Sequence, residues 1–582
     1  MVMNGPTGAN SSHYVNGHKD VKSLKDTNPS PNVTHRENRH SATSHFQPES
    51  SEPQNVYAYL DQPNTQVFPR ISRPVELLRN TYDVVVVGSG YGGGVAASRM
   101  ARAGQSVCLL ERGKERWPGE YPSTALSFTK DLHVSGSSKL AQWGDPTGLY
   151  HVIVGEGQTA FVGSGLGGSS LLNSNVFLKA DDATLALRDW PKELREPKAL
   201  EPYYALAEQM LEPEPYPDHW PELPKLKLLE KQAKALGLDR NFRRVSQTTR
   251  FAHGANSTGV EMNASTLTGQ DTTGLNDGSK SSTLVNYLAD AWNWGAEMFC
   301  ECEVRHVRKR PDGDGYLVYF AWHGSGRGAF THNIYEDLMW VHAKECVFLA
   351  AGSLGSTEIL LRSQKLGLPM SAKVGTGMSG NGDILACGYN CDQDVNCVGR
   401  EQPDPYRPVG PTITGMIDCR EGHENPLNGF VIQEGAIPQA LAPIFQALAE
   451  MMPGQRVPSY ISSYEHVKRL LARGSSYLFG PYFRAGSMQR SQVYLVMSHD
   501  TNQAVLTLKD DKPVLKFMGV GRSHHAKKLR NLLAQATAAV GGTYIDNPFF
   551  ATLNQQEITV HPIGYVSENL PFLLGRELTK YY

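Results

Sequence analysis

The sequence predicts an α/β protein, with a parallel sheet assembled from separated segments and a second, α+β domain. Three observations carry this. Tyr82–Gly93 reads YDVVVVGSGYGG and leads through a helical stretch into SVCLLE, which ends at Glu111. Two further glycine-dense blocks, Gly163–Ala180 and Val347–Ser363, follow at long spacing. Between 385 and 550 the pattern changes to shorter strands and helices.

Four consecutive valines, Val84–Val87, make a strand buried on both faces. Gly88, Gly90 and Gly93 then form a G-x-G-x-x-G turn into a helix. The first glycine permits the tight turn, the second lets backbone approach a pyrophosphate, and the third lets the helix pack close to the strand. Free N–H groups and the helix dipole favour an anion at that helix N-terminus. Glu111 stands near the place, about 20 residues on, of an acid that binds ribose hydroxyls. An acid there disfavours a 2′-phosphate, so FAD or NAD is expected over NADP.

The block Val347–Ser363 reads as a buried strand, a tight Ala-Gly-Ser turn and a helix beginning near Ser353. Between the glycine blocks, Trp190–Leu211 is helical and Pro-punctuated, and Thr268–Leu288 reads as a loop. Val493–Asp500, Ala504–Asp510 and Pro513–Val520 read as strands of one sheet. The expected organisation is a polar, disordered tail over 1–75, a dinucleotide-binding domain over 76–384, a substrate-binding cap over 385–550, and an incomplete return to the first domain over 551–582.

Composition excludes several classes. Lys and Arg total 56 against 58 Asp and Glu, a net charge of −2, so no basic field exists for nucleic acid. No apolar run is long enough for a spanning helix. The polar N-terminus lacks the apolar core of a secretory signal, and the reading is a cytoplasmic protein. The eight cysteines are scattered. Cys387, Cys391 and Cys397 cluster without a second ligand group, so no metal site is expected.

The three glycine blocks together resemble the glucose–methanol–choline (GMC) flavoprotein family, and within it the cholesterol-oxidase-like branch. VVGSGYGGGVAASRMARAG is similar to the family's FAD-binding start, GLGGSSLLNSNVFLKA to its flavin-side segment, and AAGSLGSTEILLRS with GNGDILA to its later glycine-rich block. The resemblance implies a GMC-type, Rossmann-like FAD domain with an α+β cap. It implies FAD pyrophosphate beside Gly88, Gly90, Tyr91, Gly92 and Gly93, and the adenosine ribose at Glu111. Gly167, Gly168, Asn173 and Asn175 would lie beside the flavin ring, and the Val304 backbone beside the adenine.

The resemblance also implies the chemistry. Oxidising an alcohol needs hydride removed to the flavin and a base on the hydroxyl. The family places a histidine near its C-terminus for that role, and VHPIG supplies His561. Glu434, in GFVIQEGAIP, is the candidate for a substrate-side carboxylate in a mostly apolar pocket, where it would shift a double bond into conjugation with the new ketone. Ile437, Leu441, Ile444, Phe445, Leu448, Met451 and Met452 follow it. They read as a sterol cavity wall, a peripheral contact with membrane lipid, or an amphipathic core helix. After Gly564 the chain leaves the family pattern, and the reading is a C-terminally truncated chain. The expected function is FAD-dependent oxidation of a hydrophobic secondary alcohol, a sterol or terpenoid, to the ketone. The alternatives are a dehydrogenase of the same family with a non-oxygen acceptor, and a catalytically impaired flavin-binding protein.

Overall fold

The first parallel sheet grows from the valine run. In the computed structural model, Thr81–Val87 is a strand whose Val84–Val87 are all buried, and it pairs in parallel with Val107–Leu110 on one side and Met339–Leu349 on the other. Each neighbour covers one edge, while side chains alternate to two hydrophobic clusters, one on each face. The structure describes residues 2–4 and 69–564, apart from 137–141, 189, 312, 325–332, 453, 455–462, 549 and 551–554. Most of the expected tail, and residues 565–582, lie outside the described residues.

The full strand order is Glu297–Phe299, Val107–Leu110, Thr81–Val87, Met339–Leu349, Tyr316–Trp322, Cys302–Lys309. The first three pairings are parallel and the last two antiparallel. Val2–Asn4 adds an antiparallel strand against Cys346–Phe348, and Ile71 is already part of the core. Order therefore extends N-terminal of the expected boundary at 76. The glycine turn opens the helix Tyr91–Arg102, and the later block opens the helix Gly352–Lys365. Thr268–Leu288, expected as a loop, ends in a helical turn at Leu284–Leu288 that packs Thr283 and Tyr287 against Gly94 of the first helix.

A second, five-stranded sheet has the order Glu557–Thr559, Gln158–Gly163, Tyr150–Val154, Leu132–Gly136, Trp143–Gly144. The third is a six-stranded antiparallel sheet: Thr543–Asp546, Ile384–Tyr389, Gln492–Ser498, Phe430–Gly435, Gly415–Cys419, Phe242–Arg244. Helices Pro224–Ala235 and His524–Ala539 supply Leu229, Ala233, Leu529 and Leu533 to its core. This sheet draws a strand and a helix from upstream of 385.

The expectation that Val493–Asp500, Ala504–Asp510 and Pro513–Val520 share one sheet is corrected. Gln492–Ser498 lies inside the six-stranded sheet, but Val505–Lys509 and Lys512–Lys516 form a separate hairpin. Leu506, Leu515 and Phe517 of that hairpin pack on Ile153, Ala160 and Leu354, so burial draws it to the first half of the molecule. All eight cysteines are free thiols. No described helix is long and apolar enough to cross a membrane.

Two glycines of one turn differ in what they allow. A Cβ on Gly93 would lie 1.9 Å from the Gly88 carbonyl oxygen, whereas one on Gly90 would meet nothing within 4 Å. Gly93→Ala is expected to destabilise the fold by about 1–3 kcal/mol or more, and Gly90→Ala to leave the thermal midpoint of the cofactor-free protein near wild type. Calorimetric unfolding of both variants checks this.

Candidate functional site

The three glycine blocks meet at one cavity of about 370 Å³, within the size range of cofactor sites. Gly88, Gly90, Tyr91 and Gly92 line it from the first block, Gly163, Gly168 and Ser170 from the second, and Gly352, Ser353 and Gly355 from the third. Backbone contact brings them together. A Cβ on Gly88 would stand 2.5 Å from the Ala350 carbonyl oxygen, and one on Gly168 2.8 Å from the Gly90 Cα. Gly88 (φ +90°) and Gly168 (φ +57°) are also left-handed, so each position is closed to side chains on both counts.

Glu111, Val304 and His561 line the same cavity. Glu111 is buried. Its Oε2 accepts from the Ser89 amide (3.1 Å) and hydroxyl (2.6 Å), and its Oε1 from the Gly113 amide (2.8 Å). Burial raises its pKa against these hydrogen bonds and the neighbouring Arg112. The Ser89 hydroxyl also accepts from the Gly167 amide (2.9 Å), which ties the first glycine block to the second. Val304 sits where the strand pairing shifts register, between Val304 and His306.

Other expected residues stand outside the lining. Gly93 lies beneath Gly88, and Gly167 underpins the second turn. Asn173 is one hydrogen bond from the wall: its Nδ2 donates to the Tyr91 hydroxyl (2.8 Å), while its buried Oδ1 has no partner. Asn175 is committed elsewhere. Its Nδ2 donates to Thr249 Oγ1 (2.8 Å) and Asp271 Oδ1 (2.7 Å), and its Oδ1 accepts from Lys280. Burial lowers the Lys280 pKa to about 8, against Asp271 and Asp277.

The expectation that Glu434 lies in a mostly apolar pocket is corrected. It is 0% exposed on the central strand Phe430–Gly435, and its surroundings are not apolar. Lys225 Nζ, from the helix Pro224–Ala235, donates to Oε1 at 2.9 Å. Thr414 N and Gly415 N donate as well, at 2.9 and 3.0 Å. Glu434 is absent from the cavity lining. Its Oε1 is taken up in holding a helix to a sheet, while Oε2 accepts from the Gly415 amide alone.

His561 follows the short strand Glu557–Thr559, which pairs in parallel with Gln158–Gly163 and so delivers the ring to the cavity. Arg530 clamps this strand, donating to Glu557 Oε1 (2.6 Å) and Asp546 Oδ1 (2.8 Å). Asp383, which sequence reasoning passed over inside GNGDILA, is buried beneath the ring. His561 Nδ1 lies 3.0 and 3.1 Å from its two oxygens, and Oδ2 accepts from the Val560 amide (2.9 Å) and the Thr559 hydroxyl (3.0 Å). A carboxylate only accepts, so Nδ1 carries a proton and Nε2 is the free nitrogen. The side chain is 40% exposed. Burial pulls the ring's pKa down, the charge and hydrogen bond of Asp383 push it up, and the net shift is upward.

Arg112 and His151 were also missed. Arg112 Nη2 donates to His151 Nδ1 (2.9 Å) and Nε to Ser164 Oγ (3.2 Å). An arginine cannot accept, so His151 holds its proton on Nε2, toward Ser135 Oγ (2.7 Å). Burial, then Arg112, holds its pKa well below the usual histidine value. Arg112 is thus a braced cation on the cavity wall. Among the described residues no group of three or more His, Cys, Asp or Glu could hold a metal ion.

The GMC oxidoreductase family model matches residues 82–379, just over half of the chain. The chain belongs to the GMC oxidoreductase family. A cholesterol oxidase of Acinetobacter baumannii is 27% identical over 308 residues, which cover 49% of this chain and 51% of that protein. A long-chain-alcohol oxidase of Arabidopsis thaliana, FAO3, is 28% identical over 240 residues, 41% of this chain and 28% of its own. This GMC oxidoreductase therefore spans about half the length of one curated relative and less of the other. Among solved structures, a pyridoxine 4-oxidase from Mesorbium loti aligns over 79% of this chain and 80% of its own, at 13% identity and a TM-score of 0.46.

The Lys225–Glu434 pair gives a test of its role. Lys225→Met leaves a buried, unpaired carboxylate and is expected to cost about 3–5 kcal/mol, whereas Lys225→Met with Glu434→Leu recovers most of that. Chemical denaturation of the two variants measures both values.

Proposed function

We propose that the chain binds FAD in this cavity and oxidises the CH–OH group of a hydrophobic alcohol, a sterol or terpenoid, in the manner of the cholesterol-oxidase-like branch. The observation that carries the reading is His561, held by Asp383 at the wall of a cavity whose floor is three glycine turns. The residues present fit the cofactor. Gly90 leaves open space where a side chain would stand, Asn173 Oδ1 is buried without a partner, and Arg112 supplies a fixed positive charge.

In this reading Gly88, Gly90, Tyr91 and Gly92 cradle the pyrophosphate at the N-terminus of the helix Tyr91–Arg102. Glu111 accepts three protein hydrogen bonds and retains acceptor capacity for a ribose hydroxyl. Val304 borders the adenine, and Gly168 and Asn173 the flavin. When bound, FAD supplies the acceptor for the carbinol hydride. His561 Nε2 takes the hydroxyl proton, and Asp383 keeps the tautomer and stabilises the imidazolium that results. Glu434 takes no part.

Two measurements test this. Anaerobic mixing with cholesterol or a long-chain alcohol follows flavin bleaching, and His561→Asn is expected to slow it by about 10²–10⁴-fold. Bleaching at the wild-type rate would remove His561 from the mechanism. The base works unprotonated, so the reduction rate should rise with pH through an inflection above the usual histidine value. Asp383→Asn removes the charge that raises it, and the inflection should move to lower pH in a rate–pH profile.

A further inference from the structure

Outside the lining of the glycine-turn cavity, one helix is turned inside out. Ser463–Phe479 buries Arg469, Ala472 and Ser476, while large apolar side chains point outward. Tyr477 is 74% exposed, Leu478 73% and Leu471 66%, with Tyr464, Val467 and Phe479 also exposed. At 3.6 residues per turn these share one broad face. The inward side is fixed by polar contacts: Arg469 donates to Asp392 Oδ1 (2.8 Å), and Gln446 of the helix Ala442–Met451 donates to the Ser476 carbonyl (2.7 Å). That neighbouring helix extends the apolar surface with exposed Ile444 and Met451. Burying a leucine contributes about 1.5–3 kcal/mol, so an orientation that hides Ala and Ser and presents Leu and Tyr implies an apolar phase outside the described residues.

Charge identifies that phase. Lys468 and Arg473 border the apolar face on either side and Arg484 lies just beyond the helix; the acids of the helix pair are Glu465, 3.8 Å from Lys468, and Glu450, so these three bases outnumber them. Arg473 Nη2 donates to the Glu450 main-chain carbonyl (2.9 Å). We propose that the helix pair Ala442–Met451 and Ser463–Phe479 is a docking surface for an anionic lipid bilayer. Leu471 and Leu478 enter the acyl boundary, Tyr464 and Tyr477 sit at headgroup depth, and Lys468, Arg473 and Arg484 meet phosphate. A second copy of the chain fits less well, because a self-complementary contact would bring like sets of basic side chains together.

Co-sedimentation of the full chain with vesicles tests this, using phosphatidylcholine alone or mixed with phosphatidylglycerol. Binding to the mixed vesicles is expected. Leu471→Glu with Leu478→Glu should abolish it, and Lys468→Glu with Arg473→Glu should weaken it by about fivefold or more per basic residue removed. The substituted side chains are exposed, so an unchanged thermal midpoint confirms folding, and each pair of substitutions stands as a control for the other. The proposal is overturned if the wild-type chain ignores both vesicle types or if the variants bind equally. It is overturned too if light scattering shows a dimer that Leu471→Glu with Leu478→Glu dissociates.

Discussion

Everything at the cavity depends on backbone meeting backbone. The strand Thr81–Val87 and the strand Met339–Leu349 end side by side, so Gly88 rests against Ala350; Gly168 rests against Gly90. These approaches are closer than a Cβ permits, and they let segments separated by more than two hundred residues form one continuous wall. Ser89 adds the hydrogen bonds that lock the arrangement, bridging Glu111 and the Gly167 amide. The fold is thus specified at its centre by what side chains are missing, and at its periphery by apolar burial on both faces of the sheet.

The second constraint is delivery of His561. Its strand is short, and three residues of parallel pairing do not fix a side chain well. Arg530 anchors the strand from the helix His524–Ala539, and Asp383 accepts from the amides of Val560 and His561 as well as from the ring. Ser353 donates to the Pro562 carbonyl, so the third glycine block also touches the histidine segment. The element that would bind the cofactor and the element that would act on substrate are in this way physically joined.

Much of this was legible from residues alone. The glycine turn, its flanking strands and Glu111 were read from signals local in sequence, and His561 from the family resemblance; the structure places Glu111 and His561 on the cavity wall. Asp383 was not found, since its partner lies 178 positions away and nothing in GNGDILA distinguishes the partner of a distant histidine from a turn acid. Ser89 occupies an unspecified position of the glycine motif, and only the fold shows that it carries the contact between blocks. The polar surroundings of Glu434 were not legible because a strand sequence does not reveal which charged residue a distant helix presents; Lys225 is 209 residues removed. The hairpin Val505–Lys516 was assigned to the wrong sheet for a related reason: alternation predicts a strand but not its partner.

The most direct test of the central claim is the cofactor itself. The chain would be purified, its visible spectrum recorded, and the protein stripped and titrated with FAD and, separately, with NAD. The two visible bands of an oxidised flavin and one tight equivalent of FAD per chain are expected, with no comparable binding of NAD. A folded chain that binds no FAD, or that prefers NAD, would contradict the assignment of the three glycine turns to a flavin site.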